Sequence, residues 1–285
     1  MTVPQPDLVF DAGLFDGDDT AWYLFRGYRV VAIDANPRMI ADAEKRFAAE
    51  ISAGRLQLVN AGIGRATGSA EFWLSCVPEW SSFDRRIASR DGVAHEAITV
   101  PVIPFGELLD RHGTPHYLKI DIEGHDHLCV DALAGRPLPP FISVEAECVG
   151  DSERLSDEEA ISMLERLRAV GYKRFKLVNQ VGLLPVRANP LARFANAIVV
   201  SAARGKLRLP GLSAIAERNT DEGRRAALGF PFSQGSTGPW GEEVPCAWMS
   251  YSRARELYLR RRHAFFASGN PPLHGFWYDW HAKAG

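Results

Sequence analysis

VFDAGLFDGDDT, residues 9–20, is a short apolar run that ends in Asp11, turns through Gly13 and Gly17 and enters a segment of helical pattern. Glycine at such a strand-to-helix turn lets the backbone approach a ligand closely, and the helix start offers unpaired N–H groups at the positive end of its dipole. A dinucleotide fingerprint would need GxGxxG here, whereas the spacing is GLFDG and the flanks carry Asp11, Asp16, Asp18 and Asp19. Those carboxylates would repel a pyrophosphate. They suit a zwitterionic ligand that bears an ammonium and a sulfonium.

Outward from this turn, Val/Ile/Leu-rich runs at 8–12, 29–34, 55–60, 116–121 and 141–146 alternate with longer segments of helical period. That alternation predicts parallel strands joined by crossover helices, hence an α/β, Rossmann-like sheet covered on both faces. Behind Pro37, the residues Met39, Ala43, Phe47 and Ile51 space an apolar stripe along one predicted crossover helix. Phe72 and Leu74 alternate with polar positions as in an extended edge segment, and WSSF (80–83) reads as a loop. Ser156 and Glu159 form a capping-box pair opening a helix that Gly171 closes. Strands over 172–180 and 194–202 would then form a terminal hairpin and bring the count to seven.

After Arg204 the clean periodicity stops, yet Trp240, Trp248, Trp277 and Trp280 lie beyond it, and 250–269 has a helical pattern. A disordered tail is poor in aromatics. The expected organisation is a ligand-binding domain over 1–203 and an aromatic-rich extension over 204–285, packed on that core and covering the substrate side.

Composition narrows the partners. The chain has 285 residues, a formal charge of −2 and no overall basic field, which argues against nucleic acid. No stretch approaches the ~20 apolar residues of a membrane helix. The cysteines Cys76, Cys129, Cys148 and Cys246 form no CxxC pair, so neither a zinc motif nor a disulfide framework is written, and a cytoplasmic protein is expected. The sequence leaves homo-oligomer formation open.

Asp34 closes the second strand 21 residues after Gly13, where an acidic side chain can accept hydrogen bonds from both ribose hydroxyls of a nucleoside cofactor. Three strings in order, DAGLFDGDDT (11–20), AIDANP (32–37) and YLKIDIEGHD (117–126), resemble the motifs of the FkbM-type methyltransferases. The resemblance covers residues 7 to about 147, and Asp16 departs from it, many members having a small or apolar residue there. It implies a class I S-adenosylmethionine-binding fold and O-methylation of a hydroxyl on a sugar, glycan or secondary metabolite. The candidate cofactor contacts are Asp11, Gly13, Gly17, Thr20, Asp34, Asn36, Asn60 and Ala61.

In open α/β sheets ligands lie beyond the carboxyl ends of the strands. Asp121, Glu145 and His125 are there the candidates for taking the acceptor's proton, with Asp121 alternatively an ion-pair partner of Lys119. Glu123, Trp80, Ser81, Ser82 and Trp240 are assigned to the small-molecule or carbohydrate acceptor. Asp121, Glu123 and Glu145 could also hold Mg²⁺ or Ca²⁺; this is the less favoured reading, because no metal motif of fixed spacing is present. A nicotinamide-dependent oxidoreductase and a non-catalytic cofactor-binding scaffold are the competing functions.

Overall fold

The computed structural model describes residues 3–146, 155–180, 184–186, 229–230, 232, 236–267 and 276–285. β1 (Gln5–Ala12) feeds through the glycine turn into α1 (Asp18–Phe25), and β2 (Arg29–Asp34) follows. The expected crossover helix after Pro37 is two helices, α2 (Pro37–Arg46) and α3 (Ala48–Ser52), because Phe47 leaves helical geometry with φ −113° and ψ 26°. Ala43 and Phe47 of the predicted stripe are buried.

After β3 (Leu56–Asn60) and the short β4 (Gly62–Ile63), the alternating segment around Phe72 is β5 (Gly68–Ser75). It pairs antiparallel with β6 (His95–Ile103) beyond α4 (Arg85–Ala88), and the three strands form a small separate sheet in the order β4-β6-β5. Phe72 and Leu74 turn inward there, as their alternation requires. α5 (Phe105–His112), β7 (Pro115–Ile120), α6 (Asp126–Asp131) and β8 (Phe141–Glu145) return the chain to the main sheet. The Ser156–Glu159 capping box opens α7 (Asp157–Ala160), and α8 (Ser162–Val170) ends at Gly171, where φ is 122°.

β9 (Arg174–Asn179) and the two-residue β10 (Leu184–Pro185) come next, then α9 (Tyr251–Phe266) within the helix expected at 250–269 and finally β11 (Tyr278–Lys283). Among the described residues the main sheet has eight strands in the order β10-β9-β11-β8-β7-β1-β2-β3. β8, β7, β1, β2 and β3 are parallel, and β11 runs antiparallel between β8 and β9. Sequence periodicity did not identify β11: WYDWHAKA is aromatic and polar rather than aliphatic. The strand expected over 194–202 lies outside the described residues. The tail therefore supplies an interior strand of the sheet, and Trp280 on it is fully buried against Tyr258 of α9.

Strand alternation sorts the two faces. Leu8, Phe10, Ala12, Leu118 and Ile120 join a core with α5, α6, α8 and α9. Val9 and Tyr117 join a second core with Trp22 and Tyr23 of α1, Ile40 of α2 and Trp240 of the tail. Pairing Ala12 with both Ile33 and Ile120 sets β1, β2 and β7 level, so Gly13, Asp34 and Asp121 leave the sheet at one edge.

Candidate functional site

That edge opens into a cavity of about 400 Å³. The turn after β1 contributes Gly13, Leu14, Phe15 and Asp16, the end of β2 contributes Asp34, Ala35 and Asn36, and the end of β7 contributes Asp121 and Glu123. Pro78, Trp80, Ser81 and Phe83, from the loop after β5, close one side, and Ser236 and Trp277 of the tail also line it. A shallower depression of about 570 Å³ runs along α9 from Tyr251 to His263, and its lining includes none of the strand-end carboxyls.

The glycine turn is built by close backbone approach. Gly13 has φ 90°, and a β-carbon there would sit 1.7 Å from the carbonyl oxygen of Asp121. The amides of Gly13 and Leu14 donate to the Ile33 carbonyl at 2.9 and 3.1 Å, folding the turn over the end of β2. Gly17, at φ 82°, abuts the Phe47 ring, so its lack of a side chain serves helix packing. Asp34 accepts from Phe15 N at 2.9 Å through one oxygen and from Asn36 N at 2.8 Å through the other. Each carboxylate oxygen keeps a further lone pair for a ligand. Burial pushes the Asp34 carboxyl up to about 6.

Beneath the turn lies a buried charged group. Lys119 Nζ donates to the Gly13 carbonyl at 2.5 Å and stands 3.2 Å from Asp11 Oδ1 but 3.9 Å from Asp121 Oδ2. The Lys119–Asp121 pair, the alternative reading of Asp121, is thus the looser of two contacts, and Asp11 is the principal partner. Burial opposes the charge on Lys119, but Asp11, Asp121 and Asp19 outweigh it and hold the ammonium above its ordinary value. Thr20 Oγ1 donates to Asp11 Oδ2 at 2.6 Å. Asp11, Thr20 and Gly17 consequently brace the turn from behind and do not line the cavity.

Carboxyl groups dominate the opposite wall. Asp121 is raised by burial, and Glu123, with φ 52°, is pushed up to about 8 by burial and by the Asp121 charge, while Arg90 at 3.6 Å opposes the shift. Asp126 holds this loop in shape by accepting from Ile122 N at 3.0 Å and Gly124 N at 3.1 Å. Behind the wall, Glu145 faces Asp279 across the β8–β11 ladder, and Gln180 Nε2 donates to Asp279 Oδ2. Like charges directly opposite in a ladder repel. Burial, followed by Glu123 and Asp121, drives Glu145 well up, and burial moves Asp279 to about 8.

The cavity therefore brings together Gly13, Asp34, Asn36, Ala61, Trp80, Ser81, Asp121 and Glu123 of the sequence-derived residues. Others lie elsewhere. Asn36 also caps α2 by accepting from Arg38 N at 3.0 Å, and Asn60 Nδ2 donates to the Asp34 carbonyl at 3.0 Å from outside the cavity. His125 stacks on Phe83 at 4.9 Å with its Nδ1 3.1 Å from the Ile63 carbonyl, so Phe83 stands where His125 was expected to reach. Ser82 is fully buried and donates to the Glu123 carbonyl at 2.7 Å, tying the WSSF loop to the carboxyl wall. Trp240 does not line the acceptor side as expected: its ring stacks on Tyr117 at 4.2 Å in the second core. Glu145 is 7% exposed and does not reach the lining. Among the described residues no three His, Cys, Asp or Glu side chains are arranged to hold a metal ion, so the metal set Asp121, Glu123 and Glu145 is not assembled.

Trp277 is one of the tail tryptophans expected on the substrate side, and it lines the cavity. Sequence reasoning missed Asp19 as a wall residue, along with Ser236 and Asp279: Asp19 was visible only as one acid among four, and Ser236 and Asp279 gave no signal because their placement depends on how the chain returns to the sheet.

The family model described as the methyltransferase FkbM domain matches residues 11–173, more than half of the chain. Among solved structures, the chain resembles methyltransferase FkbM from Methylobacillus flagellatus KT at 15% identity and a TM-score of 0.38, over 60% of this chain and 39% of that one. It also resembles phosphoethanolamine N-methyltransferase 2 of Haemonchus contortus in complex with S-adenosyl-L-methionine, at 12% identity and a TM-score of 0.38, over 100% of this chain and 49% of that one. The chain thus spans less than half the length of either. No curated protein matches it. No helix among the described residues is long and apolar enough to cross a membrane.

Proposed function

Because the chain belongs to the FkbM methyltransferase family, we propose that it transfers a methyl group from S-adenosylmethionine to a hydroxyl of a small molecule or carbohydrate. One observation carries this reading: Asp34 and Asp121, from the ends of two different strands, line the same cavity of about 400 Å³. Asp34 would hold the ribose hydroxyls, and the acid-rich lining suits a ligand that carries positive charge. S-adenosylmethionine bound there supplies an electrophilic methyl group.

The chain's own residues then have two tasks, alignment and proton removal. Trp80 and Ser81 on the facing loop would orient the acceptor. Asp121 would take the hydroxyl proton as the acceptor oxygen bonds to the methyl carbon and the sulfur–carbon pair returns to sulfur. Its raised carboxyl is a better proton acceptor than an ordinary aspartate.

Calorimetric titration with S-adenosylmethionine, S-adenosylhomocysteine and NADH tests the reading. Binding of the first two but not the third is expected, followed by label transfer from methyl-labelled cofactor to a hydroxylated compound in a metabolite extract. Selective NADH binding would move the protein to the oxidoreductases. Cofactor binding without transfer to any acceptor would favour the scaffold.

A further inference from the structure

Asp19 joins the start of the chain to its tail at the edge of the cavity. It stands in the first turn of α1 and lines the cavity, yet is 6% exposed. Its Oδ2 accepts from Thr237 N at 2.9 Å and its Oδ1 from Gly238 N at 3.1 Å, across 218 and 219 residues of sequence. Two successive backbone amides thus converge on one carboxylate. Ser236, the residue just before them, lines the same cavity.

The far end of the segment is fastened separately. Lys176 Nζ donates to the carbonyls of Gly241 and Val244, both at 2.8 Å, and Trp240 stacks on Tyr117 between the two anchors. Asp19 is the anchor on the cavity side.

We propose that Asp19 is a positioning residue of the ligand site, whose carboxylate clasps residues 236–238 against α1 and makes this tail segment a wall of the cavity. The identity of the ligand rests on the methyl-transfer reading above; the clasp itself does not. With Asp19 replaced, Thr237 and Gly238 lose their buried acceptor, the segment loosens and Ser236 leaves the wall. A positively charged occupant strengthens the clasp, because it favours the ionised carboxylate that receives both amides. Occupancy of the cavity and docking of the tail are then coupled, each favouring the other.

The test is amide hydrogen exchange over 236–240 in the full chain, first without ligand, in the wild type, Asp19→Asn and Asp19→Ala. Asparagine keeps the volume and one acceptor oxygen, so Asp19→Asn is the variant to rely on if Asp19→Ala does not fold. Exchange at both Thr237 and Gly238 in Asp19→Ala, and at one or other of them in Asp19→Asn, is expected to rise about tenfold or more, the scale of one lost buried hydrogen bond, while residues 241–244 change little. Calorimetry with S-adenosylmethionine is expected to show about a tenfold weaker affinity in Asp19→Asn, and ligand should slow the 237–238 amides in the wild type only. Unchanged exchange in Asp19→Asn would overturn the clasp. Faster exchange with unchanged affinity would overturn its role in the site. A wild type that binds neither S-adenosylmethionine nor S-adenosylhomocysteine would sink the methyl-transfer reading, and the ligand-free exchange would still decide the clasp.

Discussion

The β-carbon that Gly13 lacks would lie 1.7 Å from the carbonyl oxygen of Asp121, so the turn after β1 and the acidic loop after β7 are in direct backbone contact. Glycine is therefore demanded twice, by the approach and by φ 90°. A side chain held at such a φ costs about 1–3 kcal/mol before any clash is counted. Gly13→Ala is expected to lower stability by at least that amount and to displace the turn from Asp34. Chemical denaturation together with S-adenosylhomocysteine titration checks this; a variant of wild-type stability and affinity would contradict the observed packing.

Asp34 separates ligand binding from local structure only when the substitution is chosen with care. Its two oxygens already receive Phe15 N and Asn36 N, so Asp34→Ala should weaken both the fold and the cofactor site. Asp34→Asn keeps one acceptor. It should bind S-adenosylmethionine more weakly by about 1.5–3 kcal/mol, one charge-assisted hydrogen bond, with a smaller change in denaturation midpoint. Calorimetry that finds full affinity in a folded Asp34→Asn would remove the ribose assignment.

Asp121 and His125 should part company in kinetics. Asp121→Asn is expected to lower turnover by ~10² to 10⁴ with S-adenosylhomocysteine affinity retained, as befits a base that lines the cavity. His125→Ala should change turnover far less, since His125 sits behind Phe83 with its Nδ1 at the Ile63 carbonyl. Steady-state rates of the two variants with a common acceptor make the comparison, and a larger loss at His125 would return the base to the histidine.

Stability should fall as pH rises through neutrality. Asp19, Glu123 and Asp279 are pushed up to about 7, 8 and 8 respectively, chiefly by burial, so each binds its proton more tightly folded than unfolded. Their contribution is complete below the ordinary carboxylate range of ~4 and is lost as pH climbs through 7 to 8. Denaturation midpoints measured at intervals over that range should decline. Asp279→Asn should flatten the upper part of the curve, and an unaltered slope in that variant would show that Asp279 does not titrate there.

Trp240 should behave as a core residue. Stacked on Tyr117 and 6% exposed, it is expected to cost about 3–5 kcal/mol when replaced by alanine. Trp240→Phe should leave cofactor affinity unchanged within a factor of about two, because the ring lies outside the cavity lining. A Trp240→Phe variant with wild-type stability and altered acceptor preference would place the ring back in the site.

Much of the frame was legible in the residues themselves. β1, β2, β7 and β8 are buried along most of their length, and their Val, Ile and Leu content marks them as it marks the edge strand β3, while the position of Asp34 at the end of β2 follows from strand length. The Ser156–Glu159 box is local chemistry and formed as written. β11 was not legible. Its Trp280, His281 and Lys283 carry no aliphatic pattern, and the strand exists because β8 and β9 present two edges that its backbone groups satisfy.

By itself the sequence determined the chain order of the parallel strands β1, β2, β3, β7 and β8, the glycine turn and the strand ends that carry Asp34 and Asp121, because propensity, periodicity and turn chemistry act over a few neighbouring residues. Tertiary structure alone decided that Lys119 serves Asp11 before Asp121, that Phe83 shields His125, and that Asp279 faces Glu145. It also decided that Asp19 meets Thr237 and Gly238. These pairings join residues up to 219 positions apart, and their partners are chosen by sheet register and burial, which no local run of residues encodes.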